Sequence, residues 1–145
     1  MNDDLFLGVD PGKSGSMVAV SAKGEFHSIS LAIDIDRQAG MLSAIAHRIV
    51  NATLEKVHSS PQMGVVSAFS FGQSFGRCEA LLSAFELTFN YVSPQRWQRD
   101  MNCLTGGDKN ITKALAQELV GEKIRITHRT ADATILAHYS MSTYK

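Results

Sequence analysis

Three acidic residues occupy positions in this sequence where an acid could do chemistry: Asp10, Glu55 and Asp132. Asp10 closes the apolar run Leu5-Phe6-Leu7-Gly8-Val9 and precedes Pro11-Gly12. Glu55 lies between Leu54 and Val57 in a segment of little other polarity, although Glu is depleted in strands and rarely buried without a partner. Asp132 stands between two alanines near the start of a final helical segment. Carboxylates are the hard oxygen donors that Mg²⁺ or Mn²⁺ takes, with positions left open for phosphate and water. Each acid also has a plainer reading: Asp10 as a turn cap before Pro, Glu55 as an edge-strand acid in solvent, Asp132 as a first-turn acid favoured by the helix dipole. The metal reading requires the three to meet at one end of a sheet, where ligands of open α/β folds gather. Their mutual repulsion would be relieved by a cation, so metal and substrate binding are expected to be coupled.

Other chemistries are less well served. Gly8-Val9-Asp10-Pro11-Gly12-Lys13-Ser14-Gly15 is not a P-loop, because only three residues separate Gly8 from the Gly-Lys-Ser and a second strand follows instead of a helix. What remains is an acid at a strand end and a turn whose glycines let a phosphate approach the backbone. Cys78 and Cys103 have no metal-type spacing and read as ordinary reduced thiols. No Ser–His–Asp or Cys–His arrangement stands out, and no organic cofactor is expected. No run approaches the ~20 apolar residues of a membrane span. The start Met1-Asn2-Asp3-Asp4 lacks a basic signal region, so a cytoplasmic protein without membrane contact is expected. The net charge is zero, which is unusual for a free-standing nucleic-acid binder, but it is unevenly spread. Residues 1–93 hold six Lys/Arg against nine Asp/Glu, and residues 94–145 hold eight against five. A basic face beside an acidic metal site is compatible with that asymmetry.

The elements that must position these residues follow from periodicity. Leu5–Val9 reads as a buried central strand ending at Asp10, with strands at Met17–Val20 and near Glu25–Ile33 completing an antiparallel meander. Arg37–Val50 has helical spacing through Met41, Ile45 and Ile49, and Ala52–Val57 is a fourth strand carrying Glu55. A long helix is predicted from Val65 to Phe85, then a strand at Thr88–Val92 and a helix over Gln95–Met101 with Pro94 in its first turn. After Gly106-Gly107 comes a helix capped by Asp108 with Ile111, Leu115 and Leu119 on one stripe. The last helix is predicted from Ala131 to Ser142 with Thr130 as its N-cap. The 145 residues read as one α/β domain with a mixed sheet.

Five short segments in this order resemble the RuvC family of Holliday junction resolvases, particularly its small phage-type members, within the ribonuclease H-like superfamily. They are Val9-Asp10-Pro11-Gly12 with Ser14-Gly15, Leu54-Glu55-Lys56-Val57-His58, Phe71-Gly72-Gln73-Ser74-Phe75-Gly76, Val92-Ser93-Pro94-Gln95-Arg96-Trp97, and Ala131-Asp132-Ala133. The resemblance implies a ribonuclease H-like α/β fold: a five-stranded mixed sheet, strands one to three an antiparallel meander, strands four and five parallel to strand one, and helices on both faces. It implies that Asp10, Glu55 and Asp132 hold a pair of Mg²⁺ or Mn²⁺ ions and hydrolyse phosphodiesters of a four-way DNA junction. Family members carry an Asp or His three or four residues before the last Asp. Here those positions are Arg129, which cannot ligate a metal, and His128, which could serve as ligand or proton carrier if the helix began earlier.

The same resemblance assigns DNA contact to Lys13, Ser14, His58, Gln73, Arg96, Lys109, Lys113 and Arg129. His58 stands where bacterial members have an aromatic wedge, so wedge-type strand separation is not expected. Trp97 is read as core although Arg96, Trp97 and Arg99 interleave an aromatic with basic residues. The family is homodimeric near Gly72, Phe75 and Gly76, and two sites on a symmetric dimer would give paired nicks; internal helix packing needs small residues equally. A nuclease for flaps or forks and a non-catalytic junction-binding module are the alternatives. If the chain is phage-encoded, it would work in a bacterial host cell. An actin-like ATP-binding fold needs a duplicated domain that 145 residues cannot hold.

Overall fold

The computed structural model describes residues 3–145, so Met1 and Asn2 of the N-terminal segment lie outside the described residues. Strand alternation decides which way the molecule's central side chains face. In β1 (Leu5–Asp10), Leu5, Leu7 and Val9 are buried on one face, which leaves Phe6, Gly8 and Asp10 on the other. β2 (Ser16–Val20) and β3 (Phe26–Ser30) continue from β1 as an antiparallel meander. β4 (Ile49–Glu55) lies parallel to β1 on its other side, and β5 (Phe89–Val92) lies parallel to β4. The strand order is β3-β2-β1-β4-β5.

The first face of the sheet packs against α1 (Ile35–Ile45) and α2 (Val65–Ala84), with Leu42, Ile45, Cys78, Leu81 and Leu82 meeting Leu5, Leu7, Val9 and Leu54. The second face is covered by α5 (His128–Thr143), against which α4 (Lys109–Val120) rests, while α3 (Pro94–Asp100) buries Trp97 in the same cluster. Gly8 makes the α5 contact possible. A Cβ there would lie 2.2 Å from the carbonyl oxygen of Ala133 and 2.3 Å from the amide nitrogen of Ala137, so only glycine lets the helix settle on β1. The expected mixed sheet with helices on both faces is therefore present.

Several boundaries differ from the sequence expectation. The helix expected over Arg37–Val50 ends at Ile45, a 3-10 turn spans Ala46–Arg48, and Ile49 and Val50 begin β4, which ends at Glu55 and not at Val57. Ile49 fits a helical stripe and a buried strand equally; pairing with β1 decides between them. The third strand is shorter than Glu25–Ile33, because the segment after Ser30 turns to enter α1. On α4 the buried positions are Thr112 and Ala116, while Ile111 and Leu119 stay partly exposed. Smaller side chains bring α4 close to α5 and its acid. Finally, Thr127 and not Thr130 is the N-cap of α5, and Thr130 closes a capping box with it. The helix begins four residues before Asp132, which therefore occupies the second turn and not the first.

Candidate metal centre

Parity brings the first two acids together. Val9 is in register with Leu54, so Asp10 and Glu55 follow at the adjacent carboxyl ends of β1 and β4 and face α5. Asp132 reaches the same region from α5, close enough that each of the other two acids feels its charge. Burial, reinforced by the charges of Glu55 and Asp132, raises the Asp10 carboxyl well above the usual carboxylate range. Burial also pushes Glu55 up to about 7, against the opposing hydrogen bond from Trp97. Asp132 is raised by burial, with Thr112, Lys109 and His128 acting in the other direction.

Glu55 is the most enclosed of the three, only 7 % exposed. The fully buried Trp97 donates its indole N–H to Glu55 Oε2 at 2.6 Å. The expectation of a core Trp97 is met, but its polar edge also fixes a site acid. The signal was available in principle, since a buried indole N–H needs an acceptor.

Asp10 and Asp132 border an open cleft of about 590 Å³. Its rim carries Lys13, Ser14, Lys109, His128 and Arg129, with Phe71 and Thr112 as further lining that was not among the expected site residues. The β1–β2 turn is tight, with the Gly15 amide donating to the Gly12 carbonyl at 3.0 Å, and a Cβ on Gly15 would overlap the Asp10 carbonyl oxygen at 1.9 Å. The Ser16 hydroxyl donates to the Arg129 carbonyl at 2.9 Å, tying the start of α5 to the same turn. One helical turn separates His128 from Asp132, so the early start of α5 does bring His128 to the cleft.

Other expected contact residues lie outside this cleft. Lys113 is half-buried one turn beyond Lys109 on α4. Gln73 lines a neighbouring notch. His58 is exposed in the loop after β4, and Arg96 is paired with Asp100 at 2.9 Å on α3. Gly72 and Gly76 have open space where a side chain would be, which removes internal packing as their explanation. Phe75 is half-buried against the first core.

Among the described residues no three His, Cys, Asp or Glu side chains stand close enough together to hold a metal ion as they are placed. The chemistry of the donors, though not their present spacing, suits a hard divalent cation. The set offers oxygen ligands whose burial and repulsion make the fully ionised state costly unless a positive charge joins them.

No family model matches the sequence, and no curated protein matches it. Solved structures do. The chain superposes on Thermus thermophilus RuvC in complex with a Holliday junction substrate with a TM-score of 0.62 and 15% identity, covering 92% of this chain and 90% of that one. A second Thermus thermophilus RuvC structure gives a TM-score of 0.59 and 17% identity over 97% of this chain and 98% of that one. The fold is therefore that of the RuvC structures, a ribonuclease H-like arrangement.

Proposed function

We propose that this chain is a single metal-dependent endonuclease domain that nicks branched DNA, with the four-way junction as its substrate. The observation that carries this reading is the convergence of Asp10, Glu55 and Asp132 beside an open cleft with a basic rim. The likeness in fold to a RuvC bound to a Holliday junction supports the choice of substrate.

Asp10, Glu55 and Asp132 would hold a pair of Mg²⁺ or Mn²⁺ ions, with His128 completing the ligand set. Bound there, the metal would supply Lewis acidity and an activated water for phosphodiester hydrolysis. The chain's own residues do the rest. Trp97 holds one Glu55 oxygen, so that carboxylate keeps a fixed orientation in the absence of substrate. Lys13, Ser14, Lys109 and Arg129 stand where a phosphate entering the cleft would meet positive charge and a hydroxyl donor. Lys109 also lies near enough to Asp10 and Asp132 to lower the pKa of both, so it favours their ionised forms. Lys113, Arg96 and His58 would contact more distant parts of a branched substrate, and Gln73 a part next to the cleft.

We read the protein as a homodimer. Val65, Val66 and Phe69 at the start of α2 are 87 %, 83 % and 70 % exposed, and Val65, Phe69, Gly72 and Gly76 share one helix face. A large apolar face with small residues suits close approach of a second copy, and two sites related by a two-fold axis would give paired nicks.

The deciding experiment incubates the protein and its Asp10→Asn variant with labelled four-way junction, fork, flap and linear duplex, with Mg²⁺ or Mn²⁺. Symmetric paired nicks in the junction alone are expected from the unaltered chain, and loss of cutting by roughly three orders of magnitude from the variant. Undiminished cutting by Asp10→Asn would refute the metal centre. Preferential cutting of forks or flaps would replace the substrate but keep the centre.

A further inference from the structure

Beside the cleft, and sharing Lys13 with it, lies a smaller notch of about 170 Å³ between α2 and the segment joining β3 to α1. Its helical wall is Ser70, Gln73, Ser74 and Arg77, spaced three and four residues apart and so aligned as one polar stripe. The facing wall is the chain around Leu31–Ile33, where backbone carbonyls would normally repel an anion. Here the Gln38 amide nitrogen occupies them, donating to the Ile33 carbonyl at 2.8 Å and more weakly to the Leu31 carbonyl at 3.4 Å. No carboxylate lines the notch. Among the described residues neither Lys13 nor Arg77 has an ion-pair partner. The Ser74 hydroxyl accepts from the Gly12 amide at 2.9 Å, which leaves its own proton free to donate.

The notch therefore offers two cations, two hydroxyls and an amide, with nearby acceptors already satisfied. Such a set recognises an anion with several oxygens. We propose that it is a second phosphate site, holding a backbone phosphodiester that flanks the one entering the cleft. The inference rests on the reading of the cleft as a nucleic-acid site and extends it along the strand. Lys13 bridges the two positions, so the pair would fix the register of the strand over the acids. The site also accounts for the polar stripe on α2 beside Phe71, which core packing does not require.

The test is a binding titration with four-way junction in the Asp10→Asn background, so that no strand is cut. Arg77→Gln is compared with Lys23→Gln, an exposed cation in the β2–β3 turn outside both hollows, and circular dichroism checks that both fold. Arg77→Gln should weaken binding about tenfold and lower the slope of log affinity against log salt by about one, while Lys23→Gln leaves both unchanged. Single neutral methylphosphonates placed along the strand give the second readout. One position adjoining the cleavage phosphate should cost affinity with Arg77 present and cost nothing in Arg77→Gln. An unchanged slope and affinity in Arg77→Gln, or the same methylphosphonate profile in both proteins, overturns the notch alone. Absence of any DNA binding by the parent chain overturns the cleft reading as well.

Discussion

At the scale of single residues, the acids that would do the chemistry work against the fold that holds them. Burial pushes the Glu55 carboxyl from 4.5 up to about 7, so between those values the folded chain holds more proton than the unfolded one. Metal-free stability is thus full below that window and falls as pH rises through it; the raised Asp10 and Asp132 act in the same direction. A divalent ion offsets the loss, so Mg²⁺ should raise the melting temperature more at pH 8 than at pH 5. Thermal melts with EDTA or Mg²⁺ at both pH values check this, and equal gains would contradict it. By the same reasoning Asp10→Asn, besides losing activity, should melt about 2–4 °C higher without metal, for roughly 1 kcal/mol of relieved repulsion. Trp97→Phe keeps most of the buried ring but removes the donor to Glu55. Its half-saturating Mg²⁺ concentration for cutting should rise about 10–100-fold. His128→Ala should slow cutting at saturating DNA by about tenfold or more, with DNA affinity nearly unchanged.

At the scale of elements, α5 is the part on which the centre depends. It brings Asp132 and His128 to the strand ends, and its seat on β1 requires the absence of a side chain at Gly8. Gly8→Ala would press a methyl into the α5 backbone, and urea unfolding should register a loss of about 3 kcal/mol or more. Thr130→Ala removes the hydroxyl that accepts from the Thr127 amide at 3.1 Å in the capping box and should cost about 1 kcal/mol by the same measurement. The two caps illustrate what sequence could and could not reveal. Asp108 was legible as the start of α4, because an acid after two glycines has few other roles. Thr127 was not, since Thr127 and Thr130 are both capping residues at the spacing of a box. Contact with the β1–β2 turn, through Ser16 and the Arg129 carbonyl, accompanies the earlier start.

At the scale of the molecule, charge and apolar surface are segregated. The cleft rim and the adjoining notch gather Lys and Arg, although the chain as a whole is neutral. Local field, not net charge, is what would draw in a phosphate backbone. The start of α2 instead carries the most exposed of the large apolar side chains among the described residues. Phe69→Glu should convert a dimer to a monomer in light scattering and abolish paired nicking before it affects single nicks. A monomeric parent chain, with and without DNA, would remove the two-fold reading.

The sequence by itself determined the order of elements, the parity that turns Asp10 and Glu55 to one face, and the acids worth following. Those are local properties: strand alternation, turn residues and an acid placed where acids are scarce. Only the tertiary structure decided that Glu55 is held by Trp97 across 42 residues, and that α5 starts early enough to bring His128 to the cleft. It also decided that Gln73 faces a separate notch and that Arg96 is occupied by Asp100. These outcomes depend on which surfaces close on each other, and contact between distant segments leaves no periodicity to read.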